Sequence, residues 1–131
     1  MRLGIVCGSF HREKIEMMLD FAKDEAVSKN WEIAEILWVP GSMEAPLALD
    51  RMLSIDSIDG AAVLGIIEKG ETDHGLVMGN SVTKAIIELQ IKHGKPIGLG
   101  IIGPGAKPEH IDPRLEPHAR AAIGAVAAMV D

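Results

Sequence analysis

Short apolar runs and longer stretches with helical spacing alternate four times along this chain. Leu3-Gly4-Ile5-Val6-Cys7 is the first run, and it ends at Gly8-Ser9. From about Arg12 to Asn30, the apolar residues Ile15, Met18, Leu19, Ala22 and Ala26 recur at three- and four-residue intervals, which predicts an amphipathic helix. Glu32 to Val39 predicts a second strand, closed by Pro40-Gly41. Ser42 is placed to cap a helix from about Met43 to Leu53, with Pro46 tolerated in its first turn. Gly60 to Ile67 is unbroken apolar sequence, as expected of a strand buried on both faces in a parallel sheet. A third helix runs from about His74 or Leu76 to His93. Gly94 suits the left-handed position after its end, and Pro96 prevents its continuation. Ile97 to Ile102 predicts a fourth strand that Gly103-Pro104-Gly105 breaks, and a last helix spans about Pro113 to Val130.

Strand–helix units joined by short links predict an open parallel sheet with helices on both faces, a three-layer α/β/α arrangement. A length of 131 residues suits one domain over 1–131. Ligands of such sheets bind beyond the carboxyl ends of the strands. Four turns therefore matter: Gly8 to Arg12, Pro40 to Glu44, Glu68 to His74 and Gly103 to Lys107. The last helix is rich in alanine, which suits close packing on its own sheet or against another subunit.

Composition narrows the classes. The chain is 47% hydrophobic and 24% charged, as expected of a soluble globular protein. No apolar stretch approaches the roughly 18–20 residues needed to span a bilayer, and the start lacks a signal-peptide layout. The lone Cys7 cannot form an internal disulfide, so a reducing cytoplasm is the expectation. A net charge of −6 argues against general nucleic-acid binding, which needs a basic face.

The segment from Leu64 to His74 concentrates the candidate chemistry. A buried strand, a glycine-broken polar turn and a helix start place backbone N–H groups and a positive dipole end where an anion can sit. His74 there is either a first-turn residue or a proton-transfer group. Thr72 and Asp73 are also good helix caps. Glu71 fits best with its N–H toward a ligand and its carboxylate away. Glu44 either complements a helix dipole or accepts hydrogen bonds from a polyol or amino ligand. Phe10 is a core residue or a stacking platform, whereas Phe21 suits ordinary packing. Arg114 and Arg120 are solvent-exposed or suited to phosphate. His11, His110 and His118 show no metal-ligand spacing, so no metal site is expected. Cys7 in an apolar strand is expected to be inert.

Taken together, several segments resemble the 6,7-dimethyl-8-ribityllumazine synthase family of riboflavin biosynthesis in its short, archaeal-like form. The carriers are Phe10, the run Val39-Pro40-Gly41-Ser42-Met43-Glu44-Ala45-Pro46-Leu47-Ala48, Gly70-Glu71-Thr72-Asp73-His74, Asn80 and Lys95-Pro96-Ile97-Gly98-Leu99-Gly100. The stretch from Gly103 through Arg114 to Arg120 is similar to the archaeal branch. The resemblance implies a flavodoxin-like four-stranded sheet and a transferase that needs no cofactor. Its substrates would be 5-amino-6-(D-ribitylamino)uracil and 3,4-dihydroxy-2-butanone 4-phosphate. It further implies that Phe10 stacks on the pyrimidine, that Ser42, Met43 and Glu44 hold the ribityl chain, and that backbone near Ile66 and Ile67 binds the heterocycle. Glu71, through its N–H, and Thr72 would seat the phosphate, and His74 would transfer protons. Pockets shared between subunits of a homopentamer, free or built into an icosahedral shell, would draw Leu99, Arg114 and Arg120 from a neighbour.

The chain departs from the family pattern in places. His11 stands where an asparagine is common, Met43 and Leu99 replace usual aromatics, and Arg120 is offset from a usual lysine. The N-terminal strand that many relatives exchange with a neighbour is expected to be missing. Two other readings stay open at this point. An archaeal-type riboflavin synthase would consume two lumazines and need no phosphate seat. A flavodoxin-like flavin carrier would favour a Ser/Thr/Gly-rich loop after the first strand, where this chain has Gly8-Ser9-Phe10-His11-Arg12.

Overall fold

Strand β1 (Arg2–Gly8) pairs with β2 (Glu32–Val39) on one side and with β3 (Gly60–Glu68) on the other, and β4 (Ile97–Ala106) lies beyond β3. All three pairings are parallel. The order β2-β1-β3-β4 is that of a flavodoxin-like sheet. These relations come from a computed structural model that describes residues 1–130.

Parallel neighbours cannot be joined by a hairpin, so each link crosses a face of the sheet as a helix. Helices α1 (Arg12–Ser28) and α5 (Leu115–Met129) cover one face, and α2 (Ala45–Leu53) and α3 (His74–His93) cover the other. Alternation along the strands feeds both layers. Leu3, Ile5 and Cys7 of β1, with Ala62, Leu64 and Ile66 of β3, meet Ile15, Met18 and Ala22 of α1 and Ala119, Ala122 and Ile123 of α5. Val6, Ala61, Val63 and Ile67 point the opposite way, onto Leu49, Met52, Val82 and Ile86. The continuous apolar run of β3 is thus explained by burial on both faces; only Glu68 at its end is half-exposed. No polar or charged side chain is buried among the described residues. At the far edge, Asp50 of α2 is bound by Lys92 at 2.9 Å and His93 at 2.7 Å from α3. Those bonds hold its carboxyl below the usual range. Lys95 donates to the carbonyls of Leu53 and Ile55, tying the same two helices together.

Element boundaries follow the expected pattern except where proline intervenes. Gly94 ends α3 in the left-handed region, φ 62°, as its position suggested. The second helix does not begin at Met43 under a Ser42 cap. Ser42–Glu44 forms a 3-10 turn, and α2 starts at Ala45. Pro46 has no N–H to bond a carbonyl four residues back, so the entry tightens instead, with Ala45 N donating to Ser42 O. The strand expected to stop at Ile102 continues to Ala106. β4 is an edge strand, where glycine and proline are tolerated, and a register shift past Ile66 lets Glu68 pair with Ala106. The last helix expected from Pro113 opens instead with a 3-10 turn, Asp112–Arg114, before α5, and a short helix that was not expected, α4 (Pro108–Ile111), precedes it. Pro108, Pro113 and Pro117 each fit only an opening turn, so the chain restarts at each.

α5 seats closely on β4 because Gly98 has no side chain; a Cβ there would lie 1.9 Å from the Ala122 carbonyl oxygen. Gly98→Ala is expected to lower unfolding stability by about 1–3 kcal/mol or more. On α5 itself, Gly124 has nothing within 4 Å of its would-be Cβ, so Gly124→Ala should gain about 0.5–1 kcal/mol. Urea denaturation midpoints of the two variants, moving in opposite directions, check this seating.

Candidate active site

Three crossover turns converge beyond the carboxyl edge of the sheet. In the first, Ser9 donates from both its backbone N–H (2.8 Å) and its hydroxyl (2.9 Å) to the Val39 carbonyl, tying the end of β1 to the end of β2. Phe10 follows and is 53% exposed. The second turn is the 3-10 segment that carries Ser42, Met43 and Glu44. The third leaves β3 at Glu68, where Lys69 N donates to Ala106 O at 2.8 Å. Asp73 occupies the cap position of α3 without a side-chain bond. The hydroxyl of Thr72 instead accepts the His74 N–H at 3.3 Å. His74 itself is exposed at the first residue of α3.

These turns enclose a cavity of about 560 Å³, in the range of small-molecule sites. Phe10, Ser42, Met43, Glu44, Ile66, Ile67, Thr72 and His74 all line it. Ile66 and Ile67, at the buried end of β3, turn their side chains to opposite core layers, so the strand end offers its backbone to a ring. Phe10 adds an aromatic surface. Ser42 and Glu44 bring a hydroxyl and a carboxylate from one turn, and Thr72 and His74 bring a hydroxyl and an imidazole from another. An apolar groove of about 330 Å³ between α2 and α3 shares Met43, His74 and Met78 with it.

The other expected residues lie elsewhere. Glu71 belongs to the third turn and is exposed, outside the cavity lining. Leu99, 43% exposed, lies on edge strand β4 opposite Val63. Arg114 is exposed, donates to the His110 carbonyl at 2.9 Å, and lines a separate polar cavity of about 170 Å³ with His110 and His118. Arg120 lines none of these three cavities. It binds Glu116 (2.9 Å), Asp24 (2.9 Å) and Glu25 (3.2 Å) and lies over the Phe21 ring, and the hydrogen bonds it donates to Glu116 and Asp24 push its pKa further up. Helical phase explains the split. Residues four apart share a face, so His118 accompanies Arg114, whereas Arg120 lies about 200° around from His118 and meets α1. That four-residue spacing was the available signal for His118. Glu68, Lys69 and Met78 also line the main cavity without having been singled out. Among the described residues no cluster of three or more His, Cys, Asp or Glu side chains could hold a metal ion, and no helix is long and apolar enough to cross a membrane.

A family model described as 6,7-dimethyl-8-ribityllumazine synthase matches residues 1–131. The chain belongs to the lumazine synthase family. Relatives of that name include one from Metallosphaera sedula, 40% identical over 94% of this chain and 82% of its own length. Another, from Staphylothermus marinus, is 38% identical over 99% of this chain and 87% of its own length. A third, from Picrophilus torridus, is 36% identical over 88% and 85%. Within this lumazine synthase fold, Cys7 takes no part in the cavity. It is wholly buried in β1, and burial pushes its thiol up from 9.0 to about 12 against the weaker opposing pull of Lys23 and Arg12.

The raised thiol pKa has a definite sign. The folded state holds the proton more tightly than the unfolded chain. This contribution to stability is therefore intact below about pH 9 and is lost as pH rises toward 12. Cys7 should resist a thiol-specific reagent at pH 8 in native protein and react fully in urea. Rapid native labelling would show that β1 opens.

Proposed function

We propose that this chain is a 6,7-dimethyl-8-ribityllumazine synthase, condensing 5-amino-6-(D-ribitylamino)uracil with 3,4-dihydroxy-2-butanone 4-phosphate. The observation that carries this reading is the convergence of Phe10, the Ser42–Glu44 turn and the Thr72–His74 turn on one cavity. The pyrimidine stacks on Phe10 and is bound by the backbone near Ile66 and Ile67. Ser42, Met43 and Glu44 hold the ribityl chain, and the Glu71 N–H and the Thr72 hydroxyl receive the phosphate at the start of α3.

Chemistry follows from that placement. The 5-amino nitrogen attacks the ketone carbon, and loss of one water gives the imine. Removal of a proton from the adjacent carbon expels phosphate, and the resulting enol becomes a ketone. The 6-ribitylamino nitrogen then closes the ring on that carbonyl with loss of a second water. His74, exposed at the cavity wall, moves these protons. Proton transfer of this kind contributes about 10²–10⁴-fold, and holding two substrates together can contribute more.

One copy supplies little positive charge to the departing phosphate, since Lys69 is the only lysine or arginine in the cavity lining. Arg114, exposed and beside His118 on the other cavity, supplies it to a neighbouring copy. Leu99, exposed on the edge strand, reaches the same shared pocket. The working form is therefore a homo-oligomer, a pentamer alone or within a shell, which light scattering on purified protein distinguishes.

Incubation with both substrates should yield the lumazine and inorganic phosphate, whereas lumazine alone should give no riboflavin. His74→Ala should lower kcat toward the lower end of the about 10²–10⁴-fold range without abolishing turnover. An unchanged kcat would remove His74 from the mechanism. Arg114→Ala should raise KM for the ketose phosphate about 10-fold or more, as expected from losing one charge-assisted bond, while KM for the pyrimidine changes little.

A further inference from the structure

His11 makes an interaction that the substrate contacts do not require. It adopts the left-handed backbone region, φ 58° and ψ 48°, which few residues other than glycine, asparagine, aspartate and histidine occupy. At the cap of α1 its carbonyl accepts the N–H groups of Lys14 and Ile15, yet its side chain does no capping. The ring instead crosses to the end of β3, where Nε2 lies 3.3 Å from Glu68 Oε2. On its other side it meets Phe10, with ring centroids 4.3 Å apart and planes tilted by 60°. Both partners line the cavity; His11 does not. Glu68 is fixed by its pairing with Ala106 in the sheet. The next residue along, Arg12, is anchored over Trp38 at 4.1 Å.

We propose that His11 is a positioning residue: through Glu68 it fastens the first turn to the end of β3 and so sets the place of the Phe10 ring on which the pyrimidine stacks. The inference rests on the lumazine synthase reading and adds a specificity element to its cavity. Phe10 is half-exposed and has little packing of its own to fix it. The left-handed turn brings the imidazole between the two rims, and the carboxylate at the end of a buried strand gives it a rigid anchor. Loss of the contact frees the platform without touching the reacting atoms. Its effect therefore falls on binding of the ring substrate and spares the proton-transfer step.

Steady-state kinetics and direct calorimetric binding of ribitylaminouracil to the full-length protein test this. His11→Ala should raise KM and Kd for that substrate roughly 3- to 10-fold, the scale of losing one half-exposed contact, with kcat and KM for the ketose phosphate within about twofold. His11→Asn keeps the left-handed turn but is too short to reach Glu68, so it should match His11→Ala. His11→Gln keeps an N–H within reach and should recover most of the affinity. In a Glu68→Ala background, adding His11→Ala should have no further effect. Circular dichroism and melting of each variant separate loss of the clasp from loss of the fold, and the Gln variant reads the clasp even if Ala unfolds. Equal rises in both KM values, additive effects in the double variant, or wild-type affinity in His11→Ala would overturn the proposal. Wild-type protein that binds no ribitylaminouracil would instead overturn the enzymatic reading itself.

Discussion

Burial of β3 on both faces, together with pairing on both edges, is the constraint from which the rest of the molecule follows. Ala62, Leu64 and Ile66 enter one core layer and Ala61, Val63 and Ile67 the other, so the strand admits no polar side chain until Glu68. Its neighbours run parallel to it, and every link must cross a helical layer and return. The turns that leave β1, β2 and β3 therefore share one edge. No charged side chain is buried in either core layer among the described residues, so polar chemistry gathers where strands end. The cavity is the place where that edge opens between the three turns.

Each turn that lines the cavity is positioned by something rigid behind it. His74 is the first residue of a helix held at its far end by the Asp50 and Lys95 contacts and at its near end by Thr72. Ser42–Glu44 is pinned into a tight turn by the missing N–H of Pro46. The first turn hangs on Ser9 bonding across to Val39, and on His11 bonding across to Glu68. One copy brings a single lysine, Lys69, to its main cavity, while Arg114 and His118 line a separate one, and the proposed chemistry draws on that second set from a neighbour.

Much of this was legible in the residues. Strand β2 has the expected bounds, α3 ends at Gly94, and the alternation of elements foretold a three-layer sheet. Misplaced boundaries cluster at prolines. Pro46 turned a helix start into a 3-10 turn, Pro113 did the same ahead of α5, Pro108 opened an extra short helix, and Pro104 failed to stop an edge strand. A proline removes a local donor, but whether that loss ends an element depends on which neighbour needed the bond.

Periodicity and punctuation by themselves determined the fold class and the four turns at the carboxyl edge, because apolar spacing is a local property that burial reads directly. The family motifs named most of the groups that line the cavity. Only the tertiary structure decided that Arg120 turns to Asp24 and Glu25 of α1, away from the cavity that Arg114 and His118 line, since that depends on helical phase relative to α1. It alone set His11 against Glu68, 57 positions apart, because a contact between two crossover turns exists only once the sheet has brought their ends together.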